Sequence, residues 1–486
     1  MVAAAVCAAV PAVAAAEPIV SLGPLRGTPS AVTDAAGTLH AVTSLGFDQP
    51  GPDWIVYCRV PAGATACSTV SEIHGFPENL YRVKLLLRPQ DGALVIVASG
   101  FDADIDDVTF VLTSSDGGTT WTPPRIAGRG LDTIDAAALT PDGSAVDTED
   151  DNHVWQRVPL GGGVETRTVA LRQNADGSDS GIDESPNVGY LGDGRAMTVG
   201  WGARLGVRAR VLGGGDPYQN ASWSPWSATR HMPGIAAFAG FGPNGTWLLT
   251  QGSVAFSGFA VWRWNGRRFA KPKSLGTIGG RSRSNVIGGV RIGNIYPPAF
   301  QQDAGGRLHA IWFRLCGRRR GCLVYRRNEP RGFGPPVVYP LAFDDAREYS
   351  IAANAGGSGW IVWSDYAAVS HGADHAVALV TPPRGSRVGS RRIRRARVTV
   401  PTHYACVTPG GRFVHRLLVS GRRSRLRIRS VRFSFDGGAL PRVDRHAPFR
   451  VVCHLPFAAG TRHVARARVN YRGGHASVGR MIVMCP

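Results

Sequence analysis

The chain contains almost no lysine: Lys84, Lys271 and Lys273 are the only three among 55 basic residues, and the other 52 are arginine. It also lacks a P-loop, a glycine-rich dinucleotide fingerprint and a kinase signature, which removes the common nucleotide-dependent classes. After the first residues, no stretch is apolar for the roughly twenty residues that a membrane helix requires. No Cys-x-x-Cys pair occurs, so the tight spacing of a four-cysteine zinc site is missing. Long uninterrupted helical periods are absent too, while 62 glycines and 33 prolines in 486 residues supply turns in abundance. The class reads all-β, and 43% hydrophobic content is enough for a large core in two or three domains.

Residues 1–16 form a short apolar run ending in Ala14-Ala15-Ala16, the small-residue pattern of a signal-peptidase site, so export is expected. The run has no basic start, which suggests a truncated signal peptide. An oxidising compartment agrees with the close pairs Cys58/Cys67 and Cys316/Cys322, each placed to clamp a hairpin as a disulfide. Cys406, Cys453 and Cys485 are odd in number, and their pairing stays open.

A repeat organises most of the chain. An Asp or Asn followed by Gly and an apolar strand recurs in "TDAAGTLHAVTS", "PQDGALVIVAS", "TPDGSAVDT", "LGDGRAMTVG", "GPNGTWLLTQ", "QDAGGRLHAIWF" and "NAGGSGWIVWS". The turn glycines are Gly37, Gly92, Gly143, Gly194, Gly245, Gly306 and Gly357, separated by 55, 51, 51, 51, 61 and 51 residues. A unit of that length with several short strands fits one four-stranded propeller blade. The expected architecture is a seven-bladed, alternatively six-bladed, β-propeller over 17–383, in which residues 18–26 supply a strand that closes the ring. In the first unit the strands read "PSAVTD", "TLHAVTS", "DWIVYCRV" and "ATACSTV".

The octapeptide "SSDGGTTW" ends an alternating strand in the second unit and precedes Pro123-Pro124, which places it on the hairpin between third and fourth strands. An Asp there can accept N–H groups of its own turn, and Gly117 and Gly118 can take positive φ. Ser114, Asp116, Gly118, Thr120 and Trp121 resemble the Asp-box of sialidases and other bacterial-neuraminidase-repeat propellers. The resemblance implies a structural turn remote from any active site. It also directs attention to an arginine cluster, a Tyr nucleophile assisted by Glu, and an acidic Asp. The nearest matches are Arg26, separated from Pro29 by two residues rather than one, and Arg347, Glu348 and Tyr349 in "AREYS"; neighbouring strand residues alternate faces, so these three cannot all converge.

Other candidates are Asp102, Asp104 and Asp106, which alternate in "FDADIDD" and could share a calcium ion, the only cofactor considered. His371 and His375 have i, i+4 spacing for zinc, but Gly372 and the lack of an intervening Glu speak against it. Trp223 and Trp226 in "NASWSPWS" could stack on sugars or fill the core.

Charge is confined to the end of the chain. Residues 384–486 hold 23 Arg and two acidic residues, a balance of +21, while 1–383 balance to −1. Codon bias explains Arg in place of Lys but not this confinement. The reading is a basic linker over 384–397 and an Arg-rich domain over 398–486. There "VRFSFDGGALPRVDRHAPFRV" resembles bacterial immunoglobulin-like domains through Phe433, Phe435, Asp436, Gly437, Asp444, Pro448 and Phe449. Such a surface attracts polyanions; the aromatic-basic interleaving of nucleic-acid modules is missing. The sequence therefore points to a secreted or cell-surface monomer that binds glycan or cell-wall polymers without catalysis. The alternative is a sialidase-type glycoside hydrolase with a central pocket.

Overall fold

In a computed structural model, the described residues are 20–483 except 24–28, 46–52, 77–79, 103–105, 174–183, 203–205, 228–235, 252–258, 271–284, 288–289, 293–297, 316–320, 330–331, 334–336, 341–345, 355–358, 366–373, 379–389, 394–395, 401–411, 422–427, 437–438, 448 and 459–461. The protein is all-β; among these residues the helical element is one 3-10 turn, Asn220–Ser222. Contacts divide the chain into two units, one of residues 19–334 and 341–381, the other including 335–340 and 382–486.

Antiparallel sheets succeed one another along the first unit. The first is built from Ser30–Thr33, Leu39–Leu45, Trp54–Val60 and Thr69–Ile73, in the order read from the sequence. The second uses Leu80–Leu87, Leu94–Asp102, Asp106–Ser114 and Arg125–Arg129. The third uses Ala136–Leu139, Ala145–Glu149, Val154–Pro159 and Val169–Ala170. A fourth, over 184–211, has three strands; the fifth and sixth, over 236–270 and 299–333, follow the same meander. The turn between first and second strands is where the repeat glycines fall. Six of the seven are described, and all have φ between 69° and 86°, a conformation that costs glycine nothing.

The last sheet differs in a way that closes the series. Ala346–Ala353, Gly359–Asp365 and Asp374–Ala378 are joined by Val20–Gly23, which pairs antiparallel with Asp374–Ala378 as the outermost strand. Each sheet also packs on the next. Ile55 and Tyr57 meet Leu80 and Leu85; Val95 and Val97 meet Val146 and Val158; Met197 and Val199 meet Leu248 and Phe269. The seventh sheet returns to the first through Val20, Leu22, Leu39, Trp360 and Val362. Fully burying each such aliphatic side chain contributes about 1.5–3 kcal/mol. Side chains also tie adjacent turns: Trp360 Nε1–H donates to Gly37 O at 3.0 Å, Asn244 to Gly306 O at 3.2 Å, and Gln90 to Pro141 O at 2.7 Å.

The second unit holds a four-stranded sheet of Ala439–Asp444, Ile428–Phe435, Arg462–Tyr471 and Gly474–Val483. Its apolar face, with Val431, Phe433, Ala467 and Val469, shares a core with Val398, Val400, Leu417 and Phe449. One expectation is corrected here. The basic run 384–397 is not simply a linker, because Ser390–Ile393 pairs with Ala396–Thr399, which in turn pairs with Leu418–Gly421. The sequence beyond the run alternates, so Val398 and Val400 are buried and hold these strands in the core.

Candidate functional site

The Asp116 turn is a closed hydrogen-bond system. Asp116 Oδ1 accepts the Ser114 hydroxyl at 2.8 Å and the Thr119 and Thr120 N–H groups at 3.0 Å, while Oδ2 accepts the Thr120 hydroxyl at 2.7 Å. Ser114 Oγ accepts Gly118 N–H at 2.8 Å. These bonds, led by those from Thr120, hold the carboxyl down at about 2. Trp121 stands edge-on to Tyr57 of the first sheet, 5.3 Å between centroids. Both carboxylate oxygens of Asp116 are thus engaged by its own turn. Beside it, a groove of 530 Å³ between the first and second sheets is lined by His74, Glu72, Trp121, Pro123 and Pro124.

Cys58 and Cys67 form a disulfide across the corresponding hairpin of the first sheet. Cys322 is also disulfide-bonded; its expected partner Cys316 lies outside the described residues, as do Cys406 and Cys485.

Three of the four proposed catalytic residues lie on one strand. Arg26 lies outside the described residues. Arg347, Glu348 and Tyr349 share the strand Ala346–Ala353, with a register shift between Ala346 and Glu348. The Tyr349 oxygen accepts Phe313 N–H at 3.0 Å, so the phenol is committed to the seam with the sixth sheet. Asp102 and Asp106 are paired at the ends of adjacent strands, Asp104 is outside the described residues, and no metal-holding group of His, Cys, Asp or Glu occurs among those described. His375 sits on a strand rather than a helix, and His371 is outside the described residues.

The tryptophan reading is corrected. Trp223 and Trp226 are buried, and their indole N–H groups donate to Pro217 O at 2.9 Å and Leu171 O at 3.0 Å. Trp223 packs edge-on against Trp155, and Trp226 against His153. No indole face is left open for a sugar. The organiser of this region is Arg210, whose guanidinium donates to the carbonyls of Leu171, Gln173, Asn220 and Ser224, with no carboxylate partner among the described residues. Burial lowers it to about 10. It anchors the segment that stands in for a fourth strand of the fourth sheet.

A polar group that sequence reasoning missed lies at the sheet ends opposite the repeat turns, where second strands turn into third strands and one sheet passes to the next. On the second sheet, Arg82 Nε lies 3.8 Å from Asp135 Oδ1, and Thr133 Oγ1 donates to Asp135 Oδ2 at 2.9 Å. Burial, then the charges of Asp107 and Asp132, raise the neighbouring Tyr81 phenol, which makes it a hydrogen-bond donor and a poor phenolate nucleophile. Asp53 is buried, accepts Leu80 N–H and is pushed up by desolvation. Asp150, in the turn of the third sheet, is pushed up to about 7, chiefly by burial. Next to it His153 holds φ at 58°, and its Nδ1 lies 2.6 Å from the buried Glu149. These groups come from separate turns, so no local motif announces them.

The sequence did carry another signal. Asp34, His40 and Tyr57 form a chain, with His40 Nδ1 2.7 Å from the Tyr57 oxygen and Nε2 3.4 Å from Asp34. Asp303, His309 and Tyr325 repeat it in the sixth sheet at 2.8 and 3.1 Å. In both, Asp precedes the turn glycine by three residues and His follows it by three, as "TDAAGTLH" and "QDAGGRLH" show. Burial lowers both imidazoles despite the carboxylates beside them.

No family model matches the chain, and no curated protein matches it. Among solved structures it is similar to one titled "Hadza microbial sialidase Hz136", with a TM-score of 0.39 and 10% sequence identity. The match covers 73% of this chain and 65% of that one.

Proposed function

We propose that this is an exported surface-binding protein, built from a seven-bladed propeller of the Asp-box type and an Arg-rich immunoglobulin-like domain, that holds anionic wall or extracellular polysaccharide without chemistry of its own. The observation that carries the reading is the unneutralised charge of 384–486. The segment has 23 arginines, and its two carboxylates are both taken up locally. Asp436 accepts Val464 N–H at 2.7 Å and contacts His463; Asp444 accepts His446 N–H at 3.0 Å and Arg450 N–H at 2.8 Å. The arginines must therefore find their counter-ions elsewhere. The test is retention of the full chain on immobilised anionic polysaccharide against a neutral one of equal length. Retention by the anionic matrix alone, lost as salt rises from 0.1 to 1 M, supports the reading; equal retention on both overturns it.

The second reading is a glycoside hydrolase of sialidase type, and the polar group around Arg82, Asp135 and Tyr81 favours it. A hydrolase needs two converging carboxylates, or a Tyr–Glu pair with an Asp. Release of free sugar from sialosides by the full chain, abolished in Asp135→Asn, would establish this reading in place of the first.

A further inference from the structure

The four-stranded sheet of the second unit has one apolar face and one that is not apolar, and the second face is specific in composition. Register places Arg432 directly opposite Arg468, and Arg468 opposite Ser477. One pair along, Ser434 faces Arg466, which faces Gly479; in the other direction Ser430 faces Asn470, which faces His475. Arg432, Arg466 and Arg468 are all exposed. Between them the face offers guanidinium, hydroxyl and amide groups, with Asn470 Nδ2 donating to Ser430 Oγ at 3.0 Å and the exposed Val443 opposite Arg432 on the outer strand.

Two features mark this face, the first shared with the opposed pairs Arg416/Arg450 and Arg392/Arg397 of the same unit. Like charges directly opposite on neighbouring strands destabilise a sheet, and among the described residues neither Asp436, which pairs with His463, nor Asp444 forms an ion pair with these arginines. In addition, Gly479 is the gap into which the Arg466 stem lies. A Cβ built there would come within 3.2 Å of Arg466 Cγ. The missing side chain lets that arginine lie across the next strand and keeps its stem low on the sheet.

We infer that this face, centred on Arg432, Arg466 and Arg468, is the docking platform for a linear polymer with one oxyanion per repeating unit. The inference rests on the binding function proposed above and assigns it a site. Guanidinium forks are suited to bidentate pairing with carboxylate or phosphate. Their origins are spaced about 5 Å across strands and about 7 Å along one, so successive oxyanions of an extended chain can be held in a row. The serine hydroxyls and Asn470 can donate to the oxygens between. The face displays no Trp, Tyr or Phe, so it lacks the rings on which nucleic-acid bases stack.

The test uses the full chain and two probes, polygalacturonate for carboxylate and poly(glycerol phosphate) for phosphate, with duplex DNA as a third polyanion. The variant R432S/R466S/R468S is compared with R445S/R450S/R472S, which removes the same charge from exposed positions off this face. The face triple should weaken binding at 0.1 M salt at least tenfold and reduce the salt slope on the phosphate polymer by about 2–3; the matched triple should do less than half of this. Its melting temperature should hold or rise, since opposed charges are removed, so lost binding is not lost folding. G479V, which lifts the Arg466 stem, should give a smaller loss in the same direction. The probe held more tightly identifies the oxyanion source. Equal losses in the two triples overturn the face and leave the charge-based reading standing. No loss in either overturns that reading as well. Tighter binding of duplex DNA, with the same sensitivity to the face triple, would make this a nucleic-acid surface and overturn the assigned ligand.

Discussion

The ring of Tyr57 occupies the space that a side chain at Gly118 would need. A Cβ built at Gly118 overlaps Cζ and the phenol oxygen of Tyr57, whose hydroxyl donates to Gly117 O at 2.8 Å. The turn of the second sheet and the third strand of the first are thus fitted to each other, and the Asp116 turn acts as a fastening between sheets as well as a turn within one.

Gly118→Ala should therefore cost about 3 kcal/mol or more, because an unfavourable φ of 87° is combined with overpacking against Tyr57. Gly117→Ala is the comparison: its φ is 70°, but nothing lies within 4 Å of the added carbon, so about 1 kcal/mol is expected. Urea melts of the two variants distinguish fit from backbone strain. Asp116→Ala should lower the melting temperature and leave polymer retention by the folded protein intact.

Loss of the Cys58–Cys67 bond should cost about 2–3 kcal/mol through the entropy of a short loop, the two cysteines being separated by 9 residues. Denaturant melts of Cys67→Ser against the wild type measure it, and peptide mapping without reductant should recover the linked pair.

Asp150 should make stability depend on pH in an unusual sense. Its folded value is raised to about 7, so the folded state holds the proton more tightly than the unfolded chain. Its contribution is therefore fully present below about pH 4 and is lost as the pH rises through about 7. Asp150→Asn keeps an acceptor for Val154 N–H and cannot ionise. It should raise stability by about 2 kcal/mol at pH 8, an advantage that shrinks to nearly nothing at pH 4. Thermal melts at the two pH values check the sign.

Arg210→Lys should be as damaging as a core truncation, about 3 kcal/mol or more, although the charge is kept. An ammonium cannot reach the four carbonyls that the planar guanidinium serves, and carbonyls left buried and unpaired carry the penalty. A matching loss in Arg210→Met would show that geometry, not charge, is what the site requires.

These outcomes bear on how much a single sequence discloses. The sheets were legible because one turn type repeats: Gly37, Gly92 and Gly143 mark the same φ at nearly equal spacing, and alternating apolar residues flank each one. Val20–Gly23 was legible as a closing strand from the need to cover sheet edges. The polar group at the opposite end was not, because Arg82 and Asp135 meet only after two sheets have packed. Trp223 and Trp226 misled for a related reason. Their spacing is compatible with an exposed platform or with a core, and Arg210, which contacts both and draws their segment inward, is remote from them in sequence.

Val20–Gly23 leaves the ribosome long before its partner strand, Asp374–Ala378, which is among the last of this unit. At roughly 5–20 residues per second of synthesis, the early strand must wait tens of seconds with its edge unpaired. Folding from the N-terminus onward can complete individual sheets but cannot lock the unit, so it reaches its final stability in one late step. Resistance of this unit to proteases should therefore appear only once Val20–Gly23 has paired with Asp374–Ala378.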